Sequence, residues 1–392
     1  MKPQTERKIL VIYTGGTIGM KKEGGGGWKP GSLGELRKNI PELDKLPYQI
    51  DWEEMKTKNE NERETFIDSS QADIKTFNNI GEKIKENYEI YDGFVVVYGT
   101  DTMAYAAGAL SYMLEGLGKP VVFTGSMDPA TERNEKKSEY DIQSHRITKK
   151  YEKEGSDGPR NLIDAINVVG QSGNEIPLIP EVTIAFNGRL IRGNTTEKFK
   201  ANQRDAFYYN KQTQIQLAKI RHGEDESDVE EHGLPCVFPP ECEITMYADP
   251  VDEARENFQL RELSSQNICR IEVCSPTIKF IDPGSDAIFL YDTPKELKFD
   301  PELISKIESE REDTPVFYHG ANPPVKDWIS IVAWNDKQAE MKINYILSRT
   351  RDIDEIRKLS EGNLRGEGEG PLLKEFEILN EPQKEFSPGK RK

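Results

Sequence analysis

The chain is poor in the residues that announce a metal centre or a covalent framework. Four cysteines, four histidines and four tryptophans are spread over 392 residues. The cysteines, Cys236, Cys242, Cys269 and Cys274, are spaced unlike the CxxC pairs of zinc sites or redox dithiols. Reduced, mostly buried thiols are expected, with no bridge. His145, His222, His232 and His319 all stand in polar or loop-like context, which argues against a histidine-built metal site. Positive charge is in deficit: 53 Lys and Arg against 69 Asp and Glu leave a net charge of −16. That excess disfavours nucleic acid and anionic lipid as partners. No long uncharged apolar run exists to form a transmembrane helix. The opening MKPQTERK meets the apolar stretch 9–13 without a signal-type n-region, h-region and cleavage site, so a cytoplasmic location is expected. Phosphate-binding glycine motifs, GxGxxG and GK[ST], are missing as well.

What is present is an alternation of apolar runs and helical spacing. At roughly 150 residues per domain the length predicts two or three domains. Strands are expected at 8–13, 93–98, 119–124 and 182–186, with helices at 69–87, 102–117 and 161–169. Continuous apolar strands separated by helices imply a parallel sheet covered on both faces. A second, smaller series follows, with strands at 267–273, 287–291, 315–318 and 329–334 and helices at 300–310, 337–347 and 352–360. The expected fold class is thus α/β: a larger N-terminal open, mainly parallel sheet with helices on both faces, plus a smaller C-terminal α/β domain. The expected boundaries are 1–235 for the first domain, 236–255 for a proline-marked linker, 256–366 for the second, and 367–392 for a disordered tail. Three stretches break the rhythm. Residues 24–27 are four glycines followed by Trp28, a mobile loop by composition; 131–155 is a Lys- and Glu-rich, partly helical insertion; 222–232 is an acidic connection.

Ligands of open α/β sheets sit beyond the carboxyl ends of the strands, so residues there carry the chemistry. The first strand ends in Thr14-Gly15-Gly16-Thr17, and another in Gly99-Thr100-Asp101-Thr102. Two strand ends that each deliver a threonine, one beside a carboxylate, fit nucleophilic acyl chemistry once a base activates a hydroxyl. The competing reading is that Thr100 and Asp101 merely cap the following helix.

TGGTI at 14–18, DSS at 68–70 and GTDTMAYAAGALSYMLEGLGKPVVFTGS at 99–126 resemble the L-asparaginase family, specifically its cytoplasmic type I branch. The similarity runs over about residues 9–207. Matched residue by residue, the resemblance puts Thr14 on the nucleophile and Ser69 and Ser70 on the positions that hold the substrate's α-carboxylate. It puts Thr100, Asp101 and Lys198 on a proton-handling triad, with Asp101 also meeting the substrate ammonium. It implies hydrolysis of L-asparagine, and of L-glutamine as a second candidate, through a threonine acyl-enzyme with no cofactor and no metal. It also implies a homodimer or homotetramer.

Several positions depart from that pattern. Trp28 stands where the family has a tyrosine, and an indole N–H only donates. Tyr13 and Tyr48 are the tyrosines that could substitute. Tyr98 replaces a histidine frequent in type I members. The strand 287–291 is followed by Asp292-Thr293-Pro294-Lys295, without the glycine-rich turn and asparagine of the family, so no C-terminal site residue carries over. The resemblance resumes at 356–366, IRKLSEGNLRG. Two further readings stand beside the hydrolase: a degenerate paralogue that binds an amino acid or a partner protein, and the ammonia-releasing subunit of a tRNA-dependent amidotransferase.

Overall fold

The structure, a computed structural model, describes residues 6–24, 26–58, 64–131, 140–141, 146–147, 155–200, 203–208, 216–222, 242–246, 250, 258–272, 284–291, 301–311, 313–319, 323–333 and 335–364. The large sheet has eight strands: β1 Lys8–Tyr13, β2 Gln49–Glu54, β3 Gly93–Val97, β4 Val121–Thr124, β5 Val182–Phe186, β6 Arg189–Arg192, β7 Gln216–Arg221 and β8 Glu243–Met246. Their spatial order is β8-β7-β6-β5-β4-β3-β1-β2. From β2 to β5 every pairing is parallel; from β5 to β8 every pairing is antiparallel. The central strands are almost wholly apolar, with Thr124 and Thr183 as buried exceptions, because both faces are covered. Leu10 and Ile12 of β1 join one core, and Ile9, Val11 and Tyr13 join the other. Helices α1 Ile74–Asn87 and α2 Met103–Met113 cover the first face; α3 Gly158–Gln171 covers the second. The strand order reverses between β1 and β3, which makes their carboxyl ends a topological switch point.

A second sheet, all parallel, orders β9 Ile268–Glu272, β10 Ala287–Tyr291, β11 Val316–Tyr318 and β12 Ile329–Ser330. Its helices are α4 Pro301–Glu310, α5 Asp336–Arg349 and α6 Ile353–Glu361. The expected α/β class with a large and a small sheet is therefore what the chain forms. Strand β8 of the large sheet lies within the stretch 236–255. No helix among the described residues is long and apolar enough to cross a membrane.

Some expectations need correction. The helix read over 69–87 begins only at Ile74, because Asp73 caps it by accepting Thr76 N at 2.9 Å; Ser69–Gln71 form a separate 3-10 turn. The helix read over 102–117 stops at Met113, and Leu114–Glu115 pair instead with Gln259–Leu260. Of the 131–155 insertion, Tyr140–Asp141 and Arg146–Ile147 pair as antiparallel strands; most of the rest lies outside the described residues. Cys242 and Cys269 are free thiols, but half-buried; Cys236 and Cys274 lie outside the described residues. His222 is not in a polar loop: it closes β7 with a buried side chain bonded to the buried Asp164 carboxylate.

The two halves are joined by a charged knot under α2. Glu115, nearly fully buried, accepts from Tyr345 Oη at 2.8 Å and Arg349 Nη1 at 2.8 Å, with Arg261 Nε at 3.4 Å. A buried carboxylate is tolerable only while its partners remain. Arg349→Met is therefore expected to destabilise the protein by about 3 kcal/mol, read as a lowered urea midpoint.

Candidate functional site

The switch point is built by close backbone approach. Gly15 and Gly16 have φ of +115° and +86°, a region that glycine enters without the strain a Cβ brings. A Cβ on Gly16 would also lie 2.9 Å from the Cα and N of Gly99, and one on Gly99 would lie 2.3 Å from Ser69 Oγ. The ends of β1 and β3 and the Ser69 turn thus meet with almost no side chain between them. Thr102 braces this contact by donating its hydroxyl to Ser69 O at 2.7 Å, with Tyr98 Oη 3.3 Å from the same hydroxyl. Tyr98, in place of the family histidine, is buried, and that burial pushes its phenol up to about 12.

Lys198 reaches the site from the other side of α2. After β6, Gly193–Thr195 form a 3-10 turn against α2, where a Cβ on Gly193 would lie 3.0 Å from Ala107 Cβ. Glu197–Lys198 then pair with Phe207–Tyr208. Lys198 Nζ donates to Thr100 Oγ1 at 2.9 Å and to Asp101 Oδ1 at 2.7 Å. The Lys198 side chain is 13% exposed, while that of Asp101 is 61% exposed. Three residues separated by up to 98 positions thus converge. The capping reading of Thr100 and Asp101 does not describe this arrangement. Helix α2 starts at Met103 with Thr102 as its N-cap, and no side chain caps it.

The two threonines of the first turn differ. Thr14 is fully buried and donates its hydroxyl to Val97 O at 2.9 Å, which also accepts Thr14 N at 3.1 Å; Thr14 O accepts Ile67 N at 2.9 Å. That is the surrounding of a sheet threonine, its hydroxyl spent on the neighbouring strand. Thr17, after the two glycines, opens the turn Thr17–Gly19 and is only half-buried. The sequence reading passed over Thr17, although the TGGTI motif contains both hydroxyls.

Ser69 is buried, its Oγ lying against Gly99. Ser70 is exposed, and its backbone N and Oγ both donate to Asp68 Oδ1, at 3.0 and 2.8 Å. Trp28 belongs to a hairpin, Met20–Lys22 with Trp28–Pro30, directly after the Thr17 turn. Its ring is 41% exposed, with Lys22 Nζ 5.3 Å from the centroid. Neither substitute tyrosine serves the site. Tyr13 donates its hydroxyl to Gly31 O at 3.0 Å, and burial pushes its ionisation upward. Tyr48 bonds Asn167 Oδ1 at 3.1 Å beside α3, and burial likewise raises it.

A third strand end is pinned beside these two. Asp157 accepts from Met127 N at 3.0 Å, Asp128 N at 3.0 Å and Asn161 Nδ2 at 3.1 Å. Burial pushes the Asp157 carboxyl up, against the downward pull of the two backbone amides. No group of His, Cys, Asp and Glu among the described residues could hold a metal ion. The whole arrangement offers hydroxyls, backbone amides, one ammonium and one exposed carboxylate. Together these can bind a small zwitterion and move protons.

The family model described as "Asparaginase, N-terminal" matches residues 8–144 and 147–230. L-asparaginase 1 of Escherichia coli (strain K12) is 40% identical over 202 residues, covering 52% of this chain and 50% of that protein. The 60 kDa lysophospholipase of Mus musculus is 37% identical over 218 residues, covering 52% of this chain and 34% of that protein. The chain thus matches about half or less of the length of these curated relatives. Among solved structures, the thermostable L-asparaginase from Thermococcus kodakarensis superposes with a TM-score of 0.68 at 22% identity, over 93% of this chain and 100% of that one. This last likeness is one of fold.

Proposed function

Since the chain belongs to the asparaginase family, we propose that it is an amidohydrolase that releases ammonia from the side-chain amide of L-asparagine. L-Glutamine differs by one methylene, which a pocket discriminates weakly, and is the second candidate. The observation that carries this reading is the Lys198–Thr100–Asp101 constellation at the switch point between β1 and β3. The nucleophile we assign is Thr17. Thr14 has its hydroxyl buried and committed to Val97 O, whereas Thr17 stands on the turn that the glycines open toward Gly99.

In the proposed reaction the Thr17 hydroxyl attacks the amide carbon while its proton moves to Thr100, the Thr100 proton moves to Lys198, and Lys198 hands one of its own to the Asp101 carboxylate. The reverse shift returns that proton to the amide nitrogen. The tetrahedral intermediate then breaks its C–N bond, releases ammonia and leaves an ester on Thr17. Water, deprotonated through the same relay, then releases aspartate. Backbone N–H groups at the two strand ends would face the oxyanion, each worth roughly 3 kcal/mol in such a role. The exposed Asp101 carboxylate suits the substrate ammonium, and the Ser69–Ser70 turn suits its carboxylate. A homodimer or homotetramer and a cytoplasmic location belong to the same proposal.

One observation favours the second reading, a paralogue that binds without turnover. Trp28 occupies the hairpin where the family has a phenol, and Tyr13 and Tyr48 are engaged elsewhere. Steady-state ammonia release by the purified chain separates the two. Saturable release from L-asparagine is expected. Calorimetric binding of L-aspartate without release from either amide would establish the binding paralogue instead.

A further inference from the structure

No C-terminal residue carries over into the site, yet helix α5 touches both segments that hold it. Gln338, in the first turn of α5, is fully buried. Its Nε2 lies 3.0 Å from Ala104 O, 3.2 Å from Thr196 O and 3.5 Å from Gly193 O. Three carbonyl oxygens converge on a nitrogen that carries two hydrogens. Turning the amide over would set oxygen against oxygen, so its orientation follows from its surroundings. Ala104 stands three residues after Asp101 on α2, and Thr196 stands two residues before Lys198. One side chain from the small-sheet half therefore ties together the two backbone segments whose side chains meet at Lys198.

The surroundings are shaped for this amide. A Cβ on Gly108 would fall 1.9 Å from Gln338 Oε1, so only glycine leaves room for it on α2. Gln338 Oε1 itself has no hydrogen-bond partner among the described residues, a cost that an apolar side chain of the same size would avoid. Beside it, Asn335 accepts Gln338 N at 2.9 Å and donates Nδ2 to Glu197 Oε2 at 3.4 Å. Lys337 pairs with Glu197 Oε1 at 3.1 Å.

We propose that Gln338 is a positioning residue. Through Ala104 O and Thr196 O it sets the spacing between the Thr100–Asp101 segment and the Lys198 segment, and so holds the Lys198 ammonium on both partners. Its effect on rate rests on the amidohydrolase reading; its effect on Lys198 does not.

The test uses Gln338→Met, which keeps length and volume but removes both N–H donors. Two quantities are measured: kcat and KM for ammonia release, and the rate at which Lys198 is reductively methylated, followed by peptide mass spectrometry. The expected result is a ten- to hundredfold fall in kcat, a KM change below threefold, and several-fold faster labelling of Lys198. Gly108→Ala is the second variant. It displaces the same amide while improving the helix propensity of α2, and it should move both readouts in the same direction. Lys337→Ala, which removes a half-exposed ion pair, should leave both unchanged. If Gln338→Met and Gly108→Ala lower only the melting temperature, with kcat per folded molecule and Lys198 labelling unaltered, Gln338 is structural and the proposal is overturned. If the wild-type protein releases no ammonia, the amidohydrolase reading fails, and the Lys198 labelling rates alone decide the positioning claim.

Discussion

Thr17→Ala is expected to lower kcat for ammonia release by at least ~10⁴-fold, the order seen when a covalent nucleophile is deleted. Thr14→Val is expected to retain activity within about tenfold. The contrast follows from where the two hydroxyls go. Val97 O keeps the Thr14 backbone N–H at 3.1 Å when the Thr14 hydroxyl is removed, so no acceptor is orphaned. Valine matches threonine in shape, and the lost hydrogen bond costs about 1 kcal/mol of stability. Thr17, by contrast, stands on the turn just beyond the strand end and is only half-buried, whereas the Thr14 hydroxyl is fully enclosed. Thr17→Ser should keep measurable turnover, since the reacting group is preserved. If Thr14→Val silences the protein and Thr17→Ala does not, the nucleophile has been placed one turn too far along.

Lys198→Met is the second large effect, with kcat expected to fall by about 10²–10⁴-fold, the range of a positioned proton-transfer group. The KM should change far less, because Asp101 remains exposed to meet the substrate ammonium. Lys198→Arg should not rescue: a guanidinium does not give up its proton in a protein, and its fork differs from an ammonium aimed at two oxygens. Stability should move by less than about 1 kcal/mol in either variant, because the partner Asp101 is solvated. Equal kcat for the wild type and Lys198→Met would remove the relay from the mechanism.

The strands were legible because an interior strand of a parallel sheet has no polar face to confuse the pattern. β1, β5 and β10 fall on the expected residues for that reason. Helix ends were less legible. The apolar Leu114 and Leu117 continue the α2 pattern, but Gly116 turns to a φ of +65° and Leu114 pairs with Leu260, a long-range contact that no local pattern carries. The site shows the same division. Thr100, Asp101 and Lys198 were readable through the family motif, and the fold brings them into contact. Thr14 and Thr17 are equivalent in the motif, and only burial against Val97 separates them. Gln338 had no signal at all, since a glutamine in the first turn of an amphipathic helix reads as a solvated residue.

The approach of Gly16 to Gly99 also limits how this protein can be changed. Where a Cβ on one glycine would fall 2.9 Å from the backbone of the other, the floor of the crevice is peptide, and peptide cannot be exchanged by substitution. Any Cβ there would push the strand ends apart, so the floor is closed to mutational drift. Diversification is left to exposed side chains at the rim, such as Phe199, which directly follows Lys198 and is 72% exposed. Libraries aimed at new amides should vary that rim and keep both glycines. A screen that returns substitutions at either glycine would be selecting for a different geometry of attack.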